Sequence, residues 1–313
     1  MHIITVVRDK DFYNKCVRDN INNAGAKFVV YDNTVDNIGI PARYNDFLDH
    51  YDYSDEDWLI FCHEDWETME NLKTKIPALD KERIYGVLGT VAHMDNRTKY
   101  YTGRTHVSNK DGSCEGQIGT LVPTGTEVDT FDCCALFIHS SLIKKYNIRF
   151  DENLDWHHYA EELNIRLREQ FGIPSCIIQI ESKHWSYGCP LPNADFTCAF
   201  QYVRNKFRNS KKVYSNTTVD ECVGPYKGTL RRAYEQCVTG RRIYIMGIPL
   251  LKQKMDSMAT KTYMFDVIPL WRRWRNELKV YFLVIPFLHA TRRPYKTVVK
   301  FLGLPIFVSK SRV

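Results

Sequence analysis

Short apolar runs alternate with amphipathic stretches through the first 90 residues, and this alternation limits the fold more than any other feature of the sequence. The apolar runs predict four strands, which are HIITVV at 2–7, KFVVYDN at 27–33, DWLIFC at 57–62 and RIYGVLGT at 83–90. Helical patterns lie between them at 11–24, where Gly25 marks the stop, and from Pro41 onwards. Strands separated by helices of about 10–15 residues predict βαβ units. We therefore expect an α/β domain with a mostly parallel sheet flanked by helices.

Polar side chains follow two of these strands at the point where each strand ends. Asp32 and Asn33 end the second strand, and His63, Glu64 and Asp65 follow the third. In open α/β sheets, ligands bind at the carboxyl ends of the strands. The sequence therefore predicts a binding site at this edge of the sheet, although both groups also suit ordinary turns.

The next part of the chain predicts further helices and one more strand. A long helix is expected before Gly172, because Leu163, Leu167 and Phe171 recur every four residues and Pro174 follows the glycine. The run SCIIQI at 175–180 predicts a strand, and a loop after it contains a histidine at 184. Helical patterns near 194–208 and 228–238 complete this part.

Acidic and imidazole side chains form three groups along the chain: the His-Glu-Asp run at 63–65, the Glu pair at 161–162, and His184. Mg²⁺ and Mn²⁺ prefer one or two carboxylates together with substrate phosphate oxygens. Such an ion neutralises a departing diphosphate, and a second carboxylate can take the proton from an attacking hydroxyl. Each group also has an interpretation without function. The 63–65 run could be a solvated turn, the Glu pair could lie on the solvent face of a helix, and His184 could be a loop histidine that binds nothing.

Taken together, these motifs resemble the bacterial family 2-like glycosyltransferases of GT-A fold, in the branch where a His-x-Asp motif replaces Asp-x-Asp. DWLIFC followed by HED resembles the apolar strand and metal motif of that family. The stretch FDENL…WHHYAEELNIRLREQFG resembles its FDE…EDxDLxxR…G block, and KHWSYG resembles its late His-x-x-x-Gly element. The resemblance covers roughly residues 1–190.

The resemblance implies an inverting glycosyltransferase with a Rossmann-like sheet, a nucleotide diphosphate sugar as donor, and Mn²⁺ or Mg²⁺ as cofactor. It also implies a role for individual residues. The metal ligands would be Asp65, His63 and His184, and the base would be Glu162, with Glu161 as the alternative register. The nucleotide sugar would be bound by Asp32, Tyr44, Asn45 and Glu64, and the acceptor by Asp132. His158 lies at the start of the predicted helix, where it either caps the helix or contacts the acceptor. A glycan or lipid-linked glycan is the expected acceptor.

Two other functions fit parts of the same pattern. A metal-dependent hydrolase would use His63, Asp65, His157 and His184, but their spacing lacks the compactness of an HExxH motif. A non-catalytic sugar or membrane adaptor would keep the fold without the chemistry. Both remain open at the level of the sequence.

The C-terminal part is strongly basic and weakly repetitive. From Arg241 to Val313 there are 15 Lys and Arg against 3 Asp and Glu, which is a net charge of +12, whereas residues 1–240 carry −6. Prolines at 249, 269, 286 and 305 each follow an aromatic-aliphatic run. We expect a catalytic domain at 1–240 and a basic tail at 241–313. An anionic membrane surface is the favoured partner for this tail, over a structural or oligomeric role and over nucleic acid, which is not expected.

The cysteines and the hydropathy pattern predict a cytoplasmic protein, and the basic tail adds a peripheral position at the inner face of a membrane. None of the ten cysteines forms a CxxC pair, and Cys62 and Cys176 lie inside apolar runs, where reduced thiols behave as small hydrophobes. No secretory signal is visible at the N-terminus. No run of 18 uncharged apolar residues occurs, so a spanning helix is not expected.

Overall fold

The computed structural model describes residues 1–54, 56–92, 98–113, 115–186, 194–219, 221–225 and 231–232, followed by 241–245, 248–255, 259–264, 268–274, 277–282, 285–293, 296–302 and 304–310. The chain divides into two compact units, Met1–Arg232 and Ala233–Val313. The first unit is a mixed α/β structure, which confirms the predicted class.

Fourteen strands lie in the described part of the first unit. They are β1 (His2–Val7), β2 (Lys27–Asp32), β3 (Trp58–His63), β4 (Trp66–Thr68), β5 (Ile84–Gly86), β6 (Gly89–Ala92), β7 (Thr98–Val107), β8 (Gly116–Thr120), β9 (Glu127–Val128), β10 (Thr130–Phe131), β11 (Ala135–His139), β12 (Ser175–Ile177), β13 (Ser182–His184) and β14 (Arg231–Arg232). The helices are α1 (Lys10–Tyr13), α2 (Ile40–His50), α3 (Leu72–Lys75), α4 (Ser140–Tyr146), α5 (Tyr159–Phe171) and α6 (Ala194–Lys206).

The larger sheet of this unit has the strand order β2-β1-β3-β11-β5-β12-β9. Strands β2, β1 and β3 are parallel, as predicted. Strand β11, however, is antiparallel to both β3 and β5, so the sheet is mixed rather than mostly parallel. Leu59, Ile60 and Phe61 in β3 are fully buried, because a strand covered on both faces requires a continuous apolar run.

A second sheet, with the order β10-β6-β7-β13-β4, brings distant segments of the chain together. Its antiparallel pair β4–β13 sets His184 opposite Trp66, directly after the turn that contains Asp65. The run predicted as one strand at 83–90 divides between the two sheets as β5 and β6.

The helix predicted at 11–24 is broken into three short turns. Strand β1 leads into α1, a π-helical turn at Asn14–Arg18 and a 3₁₀ turn at Ile21–Asn23. Asn20 explains the break, because its side-chain amide donates to the Cys16 and Thr68 carbonyls and its oxygen accepts from the Asn22 backbone N–H. Such side chains compete with the helical hydrogen bonds of the backbone.

The later helices agree better with the sequence pattern. Helix α5 ends at Gly172, which has φ of 70° in the left-handed conformation that a glycine cap adopts. Helix α6 lies within the predicted range of 194–208. Most of the helix predicted at 228–238 lies outside the described residues, and the described pair Arg231–Arg232 forms a short strand instead.

The second unit is an antiparallel meander of eight strands in chain order. They are β15 (Arg241–Ile245), β16 (Ile248–Met255), β17 (Ala259–Met264), β18 (Ile268–Trp274), β19 (Glu277–Phe282), β20 (Ile285–Arg293), β21 (Lys296–Phe301) and β22 (Leu304–Lys310). The four repeat prolines are the second residues of β16, β18, β20 and β22, and each lies at a shift in register. Proline has no N–H to donate to the ladder, which explains the irregularity. Each sequence repeat is therefore one β-hairpin.

None of the helices in the described ranges is long and apolar enough to cross a membrane. The cysteines at 16, 62, 133, 134, 176, 198 and 222 are free thiols.

Asp129 is a buried carboxylate that holds the 212–215 segment against the second sheet. It is 5% exposed and accepts hydrogen bonds from the Ala92 N–H, the Ser215 N–H and hydroxyl, and the Lys212 ammonium, at 2.8–3.2 Å. We expect Asp129→Ala to lower the free energy of unfolding by about 2–4 kcal/mol, because buried donors lose their acceptor.

Urea unfolding followed by tryptophan fluorescence would measure this loss. Asp46→Ala is the matched control, because Asp46 is exposed and accepts one hydrogen bond from Tyr31. Equal midpoints for the Asp129 and Asp46 variants would contradict the assignment.

Candidate metal and transfer site

Three side chains from two segments that are distant in the chain converge at the end of β3. His63 is the last residue of β3, Asp65 lies in the turn to β4, and His184 is the last residue of β13. One potential ligand atom from each lies within 4.8 Å of the other two. The Trp185 N–H donates to the Asp65 carbonyl at 2.9 Å, which ties the turn to the end of β13. The structure thus brings together all three predicted metal ligands.

The arrangement of these atoms fits a divalent cation. His184 Nε2 lies 3.3 Å from Asp65 Oδ1, yet this buried nitrogen makes no aligned hydrogen bond within the described residues. When His184 is deprotonated, its Nε2 and the Asp65 oxygen both carry lone pairs, which can face one ion at this separation. His63 Nε2 lies 2.9 Å from the Tyr159 hydroxyl, and this hydrogen bond fixes the orientation of the imidazole ring. Carboxylate oxygen and imidazole nitrogen are both common metal ligands.

The charges of the three groups depend on one another, and a cation would compete with a proton for His184. Burial opposes the ionised form of Asp65, but the neighbouring His184 and His63 outweigh burial and hold the pKa of Asp65 well below its usual range. Burial likewise opposes the charged form of His184, but Asp65 outweighs it and raises the pKa of His184. Burial lowers the pKa of His63, against the opposing effect of Asp65. Asp65 is therefore an ionised carboxylate in a largely buried position.

Asp132 lies next to these ligands. Its carboxylate, the Cys134 thiol and His184 also have atoms within 4.8 Å of one another. Asp132 Oδ1 accepts a hydrogen bond from the Cys134 N–H at 2.9 Å. Burial raises the pKa of Cys134 well above its usual value, so the thiol is protonated and is a poor ligand. The predicted acceptor residue thus shares His184 with the metal triad.

Glu161 is connected to Asp132 through one hydroxyl. Thr217 Oγ1 lies 3.4 Å from Asp132 Oδ2 and 3.4 Å from Glu161 Oε1. The Thr218 hydroxyl donates to the same Glu161 oxygen at 3.3 Å. The second oxygen, Glu161 Oε2, is buried and makes no hydrogen bond to any described residue. This oxygen therefore keeps the capacity to accept a hydrogen bond, although it is enclosed by the protein.

His158 packs beside Glu161 in a strained conformation. Its φ is 61°, which is uncommon for a residue other than glycine, and its Nδ1 lies 3.7 Å from Glu161 Oε1. The ring packs against Phe196 with centroids 4.5 Å apart. Burial opposes ionisation of Glu161, but His158 outweighs it and lowers the pKa of Glu161. Backbone strain of this kind is common at functional sites.

Glu162 lies in a different environment. Its side chain is fully buried, accepts hydrogen bonds from Arg166 at 2.8 and 3.2 Å, and lies 2.8 Å from the Lys206 ammonium. Lys206 also contacts Asp151, so this ion cluster joins α5 to α6. Glu162 is occupied by structural ion pairs, which does not suit a base. Of the two registers that the sequence left open, the structure sets Glu161 beside Asp132.

Two predicted nucleotide-sugar residues are core residues. Tyr44 is fully buried, and its ring packs against Phe61 and Phe150. Asn45 is also buried, and its amide bonds to the backbone of Phe150 in both directions. Both side chains of α2 are therefore used in core packing. Their contacts with Phe61 and Phe150 do not fit the prediction that they line the donor pocket. Periodicity identified the helix but did not identify which face points to the core.

Asp32 does line a cavity, of about 620 Å³. It pairs with Lys10 at 2.7 Å and accepts a hydrogen bond from Thr34. The cavity combines apolar and polar lining residues, which are Val7, Lys10, Tyr13, Asn14, Arg18, Phe28, Val30 and Asp32. This mixture suits a ring system with polar substituents.

Glu64 anchors the loop after β1. Its Oε2 accepts hydrogen bonds from the Arg8 and Asp9 backbone N–H groups at 2.6 and 2.8 Å. Its other oxygen lies 3.5 Å from the Lys110 ammonium, which also pairs with Asp9. The predicted nucleotide-sugar residue thus positions the loop next to Asp65.

Sequence reasoning missed four residues near this site: Arg8, Lys110, Tyr159 and Thr217. The Arg8 guanidinium stacks on Trp156 at 4.5 Å, and it follows β1 directly, so the strand-end rule applied to Asp32 would have found it. The other three have no comparable signal, because they lie in loops or inside a helix far along the chain.

The hydrolase alternative receives less support from this geometry. His157 packs against Phe196 with ring centroids 5.2 Å apart. Neither of the two possible metal-binding groups among the described residues includes it. The four-ligand set that this alternative needs is therefore not assembled there.

Among known proteins, this chain has structural matches but no sequence matches. No family model matches the sequence, and no curated protein matches it. Similar solved structures include A197 from STIV (TM-score 0.34, 17% identity, 58% of this chain and 84% of that chain) and GalNAc-T7 with UDP, GalNAc and Mn²⁺ (0.41, 9%, 66% and 48%). S. aureus TarS 1–349 is a third (0.38, 12%, 67% and 66%). This chain thus spans about half of the GalNAc-T7 chain and about two thirds of the TarS chain. These three TM-scores and identities are low, so the similarities carry no argument about function.

Proposed function

We propose that this chain is an inverting glycosyltransferase of GT-A fold, with a catalytic domain at 1–240 and a basic appendage at 241–313. It transfers a sugar from a nucleotide diphosphate sugar to a hydroxyl of a glycan or lipid-linked glycan. One observation carries the proposal: the possible cation ligands at 63, 65 and 184 lie beside Asp132, and Thr217 connects Asp132 to Glu161. Acidic groups from separate segments therefore meet at one place.

The donor side is formed by the strand ends. Asp65, His63 and His184 would hold Mn²⁺ or Mg²⁺, and this ion, when bound, neutralises the charge of the departing diphosphate. Arg8 and Lys110 add positive charge next to the same turn. Asp32 would bind the ribose or base, since it lines the cavity at the end of β2.

The acceptor side is formed by α5 and the segment around Thr217. The acceptor hydroxyl attacks the anomeric carbon, the bond from that carbon to the diphosphate oxygen breaks, and the nucleoside diphosphate leaves with the bonding electrons. Glu161 takes the proton of the hydroxyl at Oε2, the oxygen that makes no hydrogen bond to a described residue. Asp132 orients the acceptor, and His158 packs behind Glu161. A single displacement of this kind inverts the anomeric configuration.

The C-terminal appendage extends the proposal to a partner and a location. Its charge of +12 suits an anionic membrane surface, to which each Lys or Arg adds about 1 kcal/mol of binding free energy. We therefore include a cytoplasmic location at the inner face of a membrane and a lipid-linked acceptor. Nucleic acid is not included among the partners.

A panel of nucleotide sugars, with and without Mn²⁺, tests the proposed reaction. We expect one donor to bind at least about tenfold more tightly with Mn²⁺, because the diphosphate completes the coordination of the ion. Release of the nucleoside diphosphate should rise when an acceptor glycan is added. Calorimetry and a coupled nucleotide assay measure the two effects. Hydrolysis of unrelated phosphoesters, without any response to nucleotide sugars, would support the hydrolase instead.

A further inference from the structure

A row of basic residues crosses the C-terminal sheet from strand to strand. In the antiparallel register, Lys254 pairs with Lys261 and Lys261 pairs with Arg272. The row then continues across three more strands. From β16 to β21 its members are Lys254, Lys261, Arg272, Lys279, His289 and Lys300. Six consecutive strands therefore carry Lys, Arg or His at one register position.

The register places this row on one face of the sheet. Residues paired across antiparallel strands share a face, and so do residues two apart along a strand. Positions two or four residues from the row add the pair Arg242–Lys252 and the set Arg293–Lys296–Lys310 to the same face. Glu277 is the one acidic residue at a described position of this face. This face, defined by these positions, is called the basic face.

The positions between the basic ones belong to the opposite face and are mostly apolar. One such row runs from Trp271 through Val280 and Leu288 to Phe301. A second contains Leu278, Ala290, Val299 and Phe307 in register. By register, most of the basic positions described in this unit therefore fall on one face of the sheet, and apolar positions predominate on the other.

Like charges directly opposite each other in a sheet destabilise it. Neighbouring strands are about 4.8 Å apart, so six strands place the row along about 24 Å. Such an array of charge is stabilised when anionic groups lie against it, because they offset the repulsion between its members. The row therefore indicates an extended anionic partner rather than a single small anion.

We propose that the basic face is the surface through which this protein binds anionic lipid headgroups. The inference deepens the proposed membrane partner and rests on it. The basic positions extend in two dimensions, both across the strands and along them, so a planar surface can meet them together. Tyrosines stand two residues from a basic position at Tyr244, Tyr263 and Tyr281, on the same face, and tyrosine is enriched at membrane–water interfaces. A single nucleic-acid strand would follow one line and leave the flanking cations unused.

Flotation of the full chain with lipid vesicles tests this proposal. The vesicles are phosphatidylcholine alone or phosphatidylcholine mixed with phosphatidylserine. The test variant is the triple change Lys261→Gln, Arg272→Gln and Lys279→Gln, within the row. The matched control is Arg241→Gln, Arg273→Gln and Arg292→Gln, which removes the same charge from positions of the opposite face.

We expect the row variant to bind the mixed vesicles about 10²-fold more weakly than the unaltered chain, because three charges next to the surface are lost. The control variant should lose less than about tenfold, since its positions belong to the opposite face in the register. Far-UV circular dichroism checks that both triple variants keep their β structure. If either is unfolded, the single changes Lys261→Gln and Arg273→Gln replace the triple ones in the same comparison.

Equal losses in the two variants would overturn the basic face as the binding surface while keeping an anionic partner. No binding of the unaltered chain to the mixed vesicles would overturn both this inference and the membrane partner. Tighter binding to single-stranded RNA than to the vesicles would assign the face to nucleic acid. Turnover of a nucleotide sugar with a soluble acceptor is measured alongside and reports on the transferase proposal independently.

Discussion

Replacing Glu161 with Gln is expected to lower the rate of sugar transfer by about 10²–10⁴-fold while leaving the affinity for the nucleotide sugar close to that of the unaltered protein. Gln has the size of Glu and can still accept the hydrogen bonds of the Thr217 and Thr218 hydroxyls at Oε1. It cannot take a proton from the acceptor at neutral pH. The loss should therefore fall on kcat, because the missing interaction belongs to the transition state.

Glu162→Gln is the matched control for this prediction, since it makes the same chemical change one residue along α5. Glu162 is fully buried between Arg166 and Lys206, so we expect a lower free energy of unfolding and little change in kcat of the folded fraction. Steady-state kinetics and thermal unfolding of both variants separate the two roles. Full activity in Glu161→Gln would remove it as the base. Unchanged turnover in the Glu161→Ala, Glu162→Ala double variant would exclude both glutamates.

The second large effect is expected at the metal site. Asp65→Asn should weaken the binding of Mn²⁺ alone by at least about 10²-fold, because Asp65 supplies the carboxylate of the His63–Asp65–His184 group. Its carboxylate is ionised in the folded protein, so the variant removes a full negative charge from the site. Calorimetry, or the loss of the free Mn²⁺ signal in electron paramagnetic resonance, measures the affinity without any activity assay.

Asp9→Asn controls for the general effect of a nearby negative charge. Asp9 pairs with Lys110, which also lies near Glu64, but Asp9 is in neither possible metal-binding group of the described residues. We expect its Mn²⁺ affinity to change by less than about threefold, as suits a half-buried charge that Lys110 already pairs. If Asp65→Asn and Asp9→Asn bind Mn²⁺ equally well, the triad is not the metal site. A loss in Asp132→Asn alone would move the site to the second group, around Asp132 and His184.

The site shows where reasoning from sequence succeeds. The strand-end rule selected Asp32 and the 63–65 run from local pattern alone, because an apolar run followed by acidic residues is visible without any tertiary contact. The predicted ligand His184 depended on motif order over more than a hundred residues. The β4–β13 pairing then set it opposite Trp66 and next to Asp65.

The same reasoning has a clear limit at neighbouring residues of a helix. Glu161 and Glu162 differ by about 100° around α5, so one faces Thr217 and the other faces Arg166. Their order in the chain contains no information about which face meets the site. The same is true of Tyr44 and Asn45 in α2. Their positions in the sequence did not show that both side chains are buried in the core.

In the C-terminal unit, too, some features could be predicted from the sequence and others could not. The spacing of its prolines identified repeats, and the structure shows that each repeat is a β-hairpin. The sequence did not show whether the basic residues of successive repeats would be in register. A slip of one residue moves every side chain of a strand to the other face of the sheet.

By itself, the sequence determined the α/β class, the strand ends that carry polar groups, and the charge of the C-terminal repeats, because each depends on the local order of apolar and polar residues. Only the tertiary structure decided that Glu161 rather than Glu162 lies beside Asp132, that β11 runs antiparallel, and that the cations of six strands form one row. These outcomes depend on strand register and helix rotation, which are set by packing between segments distant in the chain.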